Sequence, residues 1–276
     1  MTYLSAIFLG LVQGIAEFLP ISSSGHLSIF QNFFHLTDLE EGHLFFDVLL
    51  HLGTLAAVIF AYRKDIAALF REFATMIHLR RLPPDQRPNI PARRMILMLI
   101  LATLPLFLIL PIKDKVESLY GNTIFIGFAL IATGLILFFA DRMRRGTKTA
   151  RSAKMTDALI VGCGQALAVV PGLSRSGTTI AAGMTCGFER SFAVKFSFLL
   201  SIPAVLGANI LGLIDAVKAG INTALLPKSL VGVLFAMVSG YAALLLLRYI
   251  TRKGRFGAFS YYCWGVGLVT LILSLV

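Results

Sequence analysis

Six apolar stretches, each long enough to cross a lipid bilayer, constrain the fold of this 276-residue chain most strongly. A transmembrane helix needs about 20 mostly apolar residues, within a working range of about 17–25. Charged residues make up only 14% of the chain, whereas soluble domains carry about 25%. The composition therefore excludes a soluble globule and favours an all-α polytopic membrane protein. The predicted spans are residues 44–62, 95–111, 123–140, 196–214, 229–249 and 259–276.

Three strongly basic loops separate these spans. Residues 63–94 contain eight Lys and Arg against three Asp and Glu, residues 141–156 contain six against one, and residues 248–256 contain four against none. Loops of this kind remain in the cytoplasm of the cell that inserts the protein. We therefore predict that all three face the cytoplasm, and that residues 112–121 and 215–227 lie outside. The net charge of +11 follows from this bias and does not indicate a nucleic-acid partner.

Two further apolar runs are too short to span the bilayer comfortably, and each is broken by a proline and a Ser-Gly turn. The first run, residues 4–19, stops at Pro20, and the second, residues 158–170, stops at Pro171. Irregular backbone survives at membrane depth only where protein or a wet cavity satisfies its polar groups. The pattern therefore predicts two re-entrant broken helical hairpins.

The two broken runs resemble each other at an offset of 152 residues. Each span takes the chain to the opposite side of the membrane. Counting the spans between the basic loops therefore predicts that one copy enters the membrane from outside and the other from inside. We therefore predict a single membrane domain, residues 1–276, built from inverted repeat halves of about 1–140 and 155–276, with the broken tips meeting near the midplane. The identical pairs are Gly10 and Gly162, Gln13 and Gln165, Ala16 and Ala168, Ser22 and Ser174, Ser24 and Ser176, and Gly25 and Gly177.

Two charged residues at predicted membrane depth belong to these broken segments: Glu17 lies in the first run, and Arg175 lies in the turn after the second. An ionisable group there costs at least about 2.5–3.5 kcal/mol, which makes each a functional candidate, although a purely structural ion pair is the simpler alternative. A guanidinium fork, several hydroxyls and closely approaching backbone N–H groups are suited to binding a phosphate or diphosphate. The candidate substrate-binding residues are Gln13 and, in the two turns, Ser22, Ser24, Gly25, Ser174, Ser176, Gly177, Thr178 and Thr179.

His26 directly follows the first turn and brings a group suited to proton transfer. It is a candidate base for a serine or acid for a leaving oxygen, and a buried core histidine is the structural alternative. Gln13 and Glu17 lie four residues apart, so they share one helix face. Glu17 is a candidate to orient a neighbour or to bind a divalent cation, and a structural polar contact is an equal alternative. His51, four residues after Asp47, is a weaker candidate for lining the same cavity.

The two broken segments resemble the signature regions of the bacterial undecaprenyl-diphosphate phosphatase family, also called bacitracin-resistance proteins. The likeness rests on residues 13–26 (QGIAEFLPISSSGH) and 171–179 (PGLSRSGTT), and it extends over the whole chain in length, span pattern and repeat. The first motif of that family has Glu or Gln, three residues, then Glu. Because this chain has Gln13, only Glu17 supplies a carboxylate there.

The resemblance implies hydrolysis of undecaprenyl diphosphate to undecaprenyl phosphate and inorganic phosphate in the bacterial cytoplasmic (inner) membrane. It thereby implies recycling of the lipid carrier for cell-wall synthesis, bacitracin resistance, an active site open to the outer face, and a requirement for Mg²⁺ or Ca²⁺. It also implies that Glu17, Ser23, His26 and Arg175 act in catalysis or substrate binding. We interpret Ser23 as the nucleophile and His26 as its base, with Glu17 positioning His26 or the metal. Arg175 and the flanking N–H groups hold the developing charge in this interpretation. Attack by His26 itself or by an activated water remains an alternative.

A transporter is the alternative function, and one mechanism of lipid phosphatases is ruled out. Inverted repeats with broken midplane helices also occur in secondary transporters, and release of phosphate by the purified protein separates the two functions. The acid-phosphatase-like class of membrane enzymes needs a second histidine, and Ala181 stands in its place. The sequence does not determine the oligomeric state, so a homodimer stays open.

Overall fold

The computed structural model describes residues 1–33, 43–78, 88–220 and 225–275, and the regular secondary structure of these segments is helical. Short 3₁₀ turns join some of the helices, at Leu104–Leu108, Leu110–Ile112 and Ser118–Gly121. The α-helices are α1 (Tyr3–Phe18), α2 (Ser23–Phe33), α3 (His43–Ala61), α4 (Arg63–Met76), α5 (Ile90–Thr103), α6 (Lys113–Glu117), α7 (Thr123–Arg142), α8 (Met155–Leu167), α9 (Arg175–Thr185), α10 (Arg190–Ala219), α11 (Leu226–Arg252) and α12 (Ala258–Leu275).

Five helical segments in the described part of the chain are long and apolar enough to cross a membrane. A sixth candidate combines α3 with α4, which are bent by 82° relative to each other at Tyr62. The prediction of a polytopic all-helical membrane protein is therefore confirmed. The five segments are Ile90–Gly121, Thr123–Arg142, Arg190–Lys218, Leu226–Arg252 and Ala258–Leu275.

Each broken run forms a short apolar helix, a turn and a second short helix. Helix α1 has 16 residues and leads into α2, and α8 has 13 residues and leads into α9. A serine oxygen accepts a hydrogen bond from a glycine N–H at the start of each second helix, from Gly25 to Ser22 at 3.2 Å and from Gly177 to Ser174 at 3.1 Å. These are N-cap bonds, which satisfy one of the free N–H groups at a helix start.

The two short apolar helices also pack in matching ways. Helix α1 lies along α11, and α8 lies along α5. A Cβ on Gly10 of α1 would come within 2.4 Å of the carbonyl oxygen of Gly232, and a Cβ on Gly162 of α8 would come within 2.4 Å of that of Ala102. Only glycine allows these close helix approaches.

Helix α9 is held in place by a cluster of aromatic side chains at the start of α10. The rings of Phe188, Phe192 and Phe196 contact one another, with centroids 4.8–6.0 Å apart. All three side chains are buried in the largest apolar core, which also packs against α9 through Ile180 and Met184. This core holds α9, the helix that begins at Arg175.

Candidate active site

Glu17 is the centre of a polar cluster between the two broken segments. It lies in the last turn of α1 and is only 8% exposed. Its Oε2 accepts hydrogen bonds from the Ser23 hydroxyl at 2.7 Å and from Gln13 Nε2 at 3.2 Å. Its Oε1 accepts a hydrogen bond from the Arg175 guanidinium. One carboxylate thus joins side chains from both halves of the chain.

Arg175 is the first residue of α9, with Ser174 as its N-cap. The N-terminal end of a helix carries a partial positive charge, so a cation there is unfavourable unless an anion lies nearby. The buried Glu17 carboxylate provides that anion in the structure described here. The guanidinium and the helix end together create a strongly anion-attracting place.

A cavity of about 200 Å³ opens beside this ion pair. Its polar lining combines both turns, because serines 22–24 of the first segment and Ser174, Arg175 and Ser176 of the second all face it. The apolar part of the wall comes from α10 and from the turns around the site. The lining residues are Ala16, Glu17, Ser22, Ser23, Ser24, His51, Leu106, Tyr120, Gln165, Ala168, Val169, Leu173, Ser174, Arg175, Ser176, Ala204, Val205 and Ala208.

The remaining predicted binding residues lie behind this lining. The N–H groups of Gly25 and Gly177 are occupied by the capping serines. The Thr179 hydroxyl lies 2.6 Å from that of Ser197 on α10 and donates to the Arg175 carbonyl oxygen, so it helps to fix α9. The Thr178 hydroxyl is buried and has no hydrogen-bond partner in the described segments.

The structure directs the His26 ring toward Tyr262 of α12 and not toward Glu17. Its Nδ1 lies 2.8 Å from the carbonyl oxygen of Ser22, and its Nε2 lies 2.9 Å from the Tyr262 hydroxyl. The ring stacks on that of Tyr262, with centroids 5.7 Å apart and 10° between the planes. Ser23 donates to Glu17 instead. The assignment of His26 as base to Ser23 therefore stays a prediction that this geometry does not support.

Three polar residues that were not selected as site residues also line the cavity. His51 Nε2 lies 3.9 Å from Glu17 Oε2, and its spacing from Asp47 was the signal for it. Gln165 is 1% exposed, and its two amide atoms have no hydrogen-bond partner in the described segments. The repeat pairs Gln165 with Gln13, which was the signal that could have identified it. Tyr120 had no such signal.

Comparison with known proteins assigns the chain to a family. Residues 6–269 match the family described as bacitracin resistance protein BacA. The chain belongs to this family. An undecaprenyl-diphosphatase of Alkaliphilus metalliredigens is 41% identical over 278 residues, which cover 100% of both chains. One of Carboxydothermus hydrogenoformans is 41% identical over 99% of this chain and 98% of its own, and one of Methanobrevibacter smithii is 39% identical over 100% and 99%.

The oxygen donors of this BacA family member suit a divalent cation only in part. No three His, Cys, Asp or Glu side chains of the described segments are grouped to hold a metal ion. Mg²⁺ is commonly bound through one or two carboxylates together with substrate phosphates, and it keeps several waters. Glu17 offers one carboxylate, and the neighbouring Gln13 Oε1 is buried without a hydrogen-bond partner among the described residues. This pair fits a cation that a phosphorylated ligand helps to hold.

Proposed function

We propose that this member of the BacA family removes the terminal phosphate of undecaprenyl diphosphate, releasing undecaprenyl phosphate and inorganic phosphate. Full-length relatives that are 39–41% identical are named undecaprenyl-diphosphatase. The observation that carries the proposal is the pair of contacts on Glu17: Ser23 donates to one carboxylate oxygen at 2.7 Å, and Arg175 binds the other. A nucleophile, its base and a phosphate-binding cation therefore meet in one cavity.

In the proposed reaction, Ser23 Oγ attacks the terminal phosphorus and its proton passes to Glu17 Oε2. The bond between that phosphorus and the bridging oxygen breaks, and the electron pair leaves with undecaprenyl phosphate. Glu17 then passes this proton to the leaving oxygen of undecaprenyl phosphate and is again a carboxylate. Water attacks the phosphorus of the phosphoserine and gives one proton to Glu17. The bond between that phosphorus and Ser23 Oγ breaks, Glu17 returns the proton to Ser23 Oγ, and inorganic phosphate leaves. This scheme gives the base role to Glu17, since Glu17 and not His26 accepts the Ser23 hydrogen bond.

Proton transfer to Glu17 also explains how Arg175 becomes available to the substrate. A protonated Glu17 no longer carries the charge that holds the guanidinium. The fork can then bind two oxygens of the transferring phosphoryl group, where such preorganised donors stabilise developing charge. The first turn of α9, with Ser174 and Ser176 at the cavity, adds its dipole to the same place.

A divalent cation, Mg²⁺ or Ca²⁺, would be held by the Glu17 carboxylate and Gln13 Oε1 together with diphosphate oxygens. When bound, such a cation would neutralise part of the negative charge of the phosphates. The support is the chemistry of this oxygen pair.

The inverted repeat and its orientation are part of the proposal. The matching serine caps and the equal close approaches of Gly10 and Gly162 support two related halves. The basic loops favour an orientation in the inner membrane in which they face the cytoplasm. In that orientation the Glu17 cavity opens to the outer face. Such a site would return the lipid carrier to cell-wall synthesis and confer bacitracin resistance.

Cysteine labelling tests the orientation. In a variant without Cys163, a cysteine at Asn122 should react with an impermeant thiol reagent added to intact cells, and a cysteine at Thr149 should not. The parent without an added cysteine is the control. Labelling of Thr149→Cys from outside contradicts the orientation.

Phosphate release tests the activity directly. The purified, detergent-solubilised protein should release one inorganic phosphate for each undecaprenyl diphosphate consumed, with more activity in Mg²⁺ or Ca²⁺ than with a chelator. A protein that only transports the lipid releases none. Absence of phosphate release from a folded preparation under both conditions would refute the proposed function.

A further inference from the structure

A second cavity, of about 540 Å³, lies at the basic end of the helices, away from Glu17. It shares no lining residue with the Glu17 cavity. Tyr62 of the second cavity directly follows α3 and comes 11 residues after His51 of the first cavity, which is about 16 Å at the rise of an α-helix. Its lining residues are Tyr62, Asp65, Pro91, Met95, Thr149, Ala150, Arg151, Ser191, Phe192, Val194, Lys195, Arg248, Thr251 and Arg252.

Basic side chains dominate the charge of this second cavity. Lys195 is paired with Asp65, the acidic residue of the lining. Arg151, Arg248 and Arg252 form no salt bridge with any residue of the described segments. The Arg248 guanidinium lies over the Tyr62 ring at 5.4 Å from its centroid. Three positive charges therefore surround the cavity without acidic partners in the described part of the chain.

Two buried hydroxyls of the lining lack hydrogen-bond partners among the described residues. They belong to Tyr62, 3% exposed, and Thr251, 1% exposed. Helical Ser and Thr residues usually bond to the carbonyl four residues earlier when nothing else is available. Ser239 on the same helix and Thr270 on α12 do so. The Thr251 hydroxyl makes no such bond, although an unsatisfied buried hydroxyl is costly.

We propose that this second cavity binds the phosphate of an anionic lipid headgroup. Guanidinium forks and hydroxyl donors are the groups that bind phosphate oxygens. Basic pockets between transmembrane helices on the cytoplasmic side are typical sites for anionic lipid headgroups. Free phosphate shares this chemistry, but the cavity lies between α5, α10 and α11, at the end of the membrane helices that carries the basic loops. A lipid headgroup reaches such a position from the adjoining leaflet.

Mass spectrometry of intact protein–lipid complexes tests this site. The purified full-length protein should retain dioleoyl-phosphatidylglycerol in preference to dioleoyl-phosphatidylcholine. Arg248→Gln should weaken phosphatidylglycerol binding by roughly ten- to hundredfold, because it removes a charged donor. Thr251→Val and Tyr62→Phe keep shape and charge and should each weaken it by about three- to tenfold.

Lys253→Gln is the matched control, because it removes one neighbouring positive charge that does not line the cavity. It should leave binding within about twofold, as should Arg175→Lys at the Glu17 cavity. Thermal unfolding of each variant shows that it is folded. Equal binding in wild type, Arg248→Gln and Thr251→Val overturns the proposal, and so does a loss of binding in Arg175→Lys alone. Arg248-dependent binding of inorganic phosphate without binding of phosphatidylglycerol would assign the cavity to free phosphate and overturn the lipid assignment.

Discussion

The two broken segments share their scaffold and differ in their reactive groups. Both have a serine cap, a glycine after it and a glutamine on the preceding helix. At the same offset of 152 residues, the reactive positions of the first segment correspond to different residue types in the second. These pairs are Glu17 and Val169, Ser23 and Arg175, and His26 and Thr178.

This difference shows what the repeat contributes and what it cannot. Two identical segments would bring two carboxylates, or two guanidinium groups, into one buried place, and like charges there repel strongly. A carboxylate in one copy and a guanidinium in the other form an ion pair, so that each neutralises the other's charge. The shared scaffold fixes where the two tips lie, and the differences create a pair of opposite charge.

Replacement of the Ser23 hydroxyl tests the reactive side of this comparison and should have the largest effect. Ser23→Ala should lower kcat by at least about 10³-fold, because removing a catalytic nucleophile costs several orders of magnitude. Phosphate release under saturating substrate measures it. Ser239→Ala is the control, because its hydroxyl bonds only within its own helix in the described structure. Near-normal turnover of Ser23→Ala would instead indicate attack by water or His26.

Arg175→Lys keeps the charge of the second segment and removes its fork. If Arg175 only balances Glu17, lysine should suffice, with activity falling by a few fold. If it binds two phosphoryl oxygens, kcat should fall by roughly 10²–10³-fold, the usual cost of losing one preorganised donor. We expect the larger loss in a variant that still folds and inserts. A decrease of less than about tenfold would leave Arg175 as a structural ion-pair partner.

The scaffold side of the comparison is tested by matched glycine substitutions. Gly10→Ala and Gly162→Ala should each lower the free energy of unfolding by about 1–3 kcal/mol, because each new Cβ overpacks a helix contact. The effects should be similar, since both Cβ positions lie 2.4 Å from a carbonyl oxygen of the neighbouring helix. Thermal unfolding in detergent measures them, and Gly265→Ala, whose Cβ would meet open space, is the control. Clearly unequal losses would argue against equivalent roles for α1 and α8.

The sequence predicts the spans well because hydropathy and length act locally. The predicted span at residues 123–140 corresponds to helix Thr123–Arg142, for example. The bend at Tyr62 was not predicted, because the charged residues from Arg63 onward read as a loop. They form α4, whose Glu72 is buried and paired with Arg93 at 2.6 Å. That pairing joins residues distant in sequence, and local patterns do not contain it.

The candidate site also combines contacts that the sequence predicts with contacts that it does not. The meeting of Glu17 with Arg175 follows from the repeat, since both residues lie beside the broken tips. The direction of the His26 ring depends on Tyr262, 236 residues away, and a helical pattern does not encode such a contact. The three-residue spacing of Ser23 and His26 therefore did not reveal that the His26 ring contacts Tyr262.

The smallest expected effect concerns the glutamine that each segment carries. Gln13 donates to Glu17, whereas Gln165 lines the cavity with both amide atoms unpartnered in the described segments. A buried amide without partners costs stability unless a ligand binds it. Gln165→Leu should therefore raise KM by about three- to tenfold, equivalent to one hydrogen bond of about 1 kcal/mol, with kcat changed by less than twofold. The same variant should be no less stable than wild type to thermal unfolding, because it removes an unsatisfied group. An unchanged KM would show that Gln165 does not bind the substrate. A loss confined to kcat would indicate that Gln165 acts in the chemical step instead.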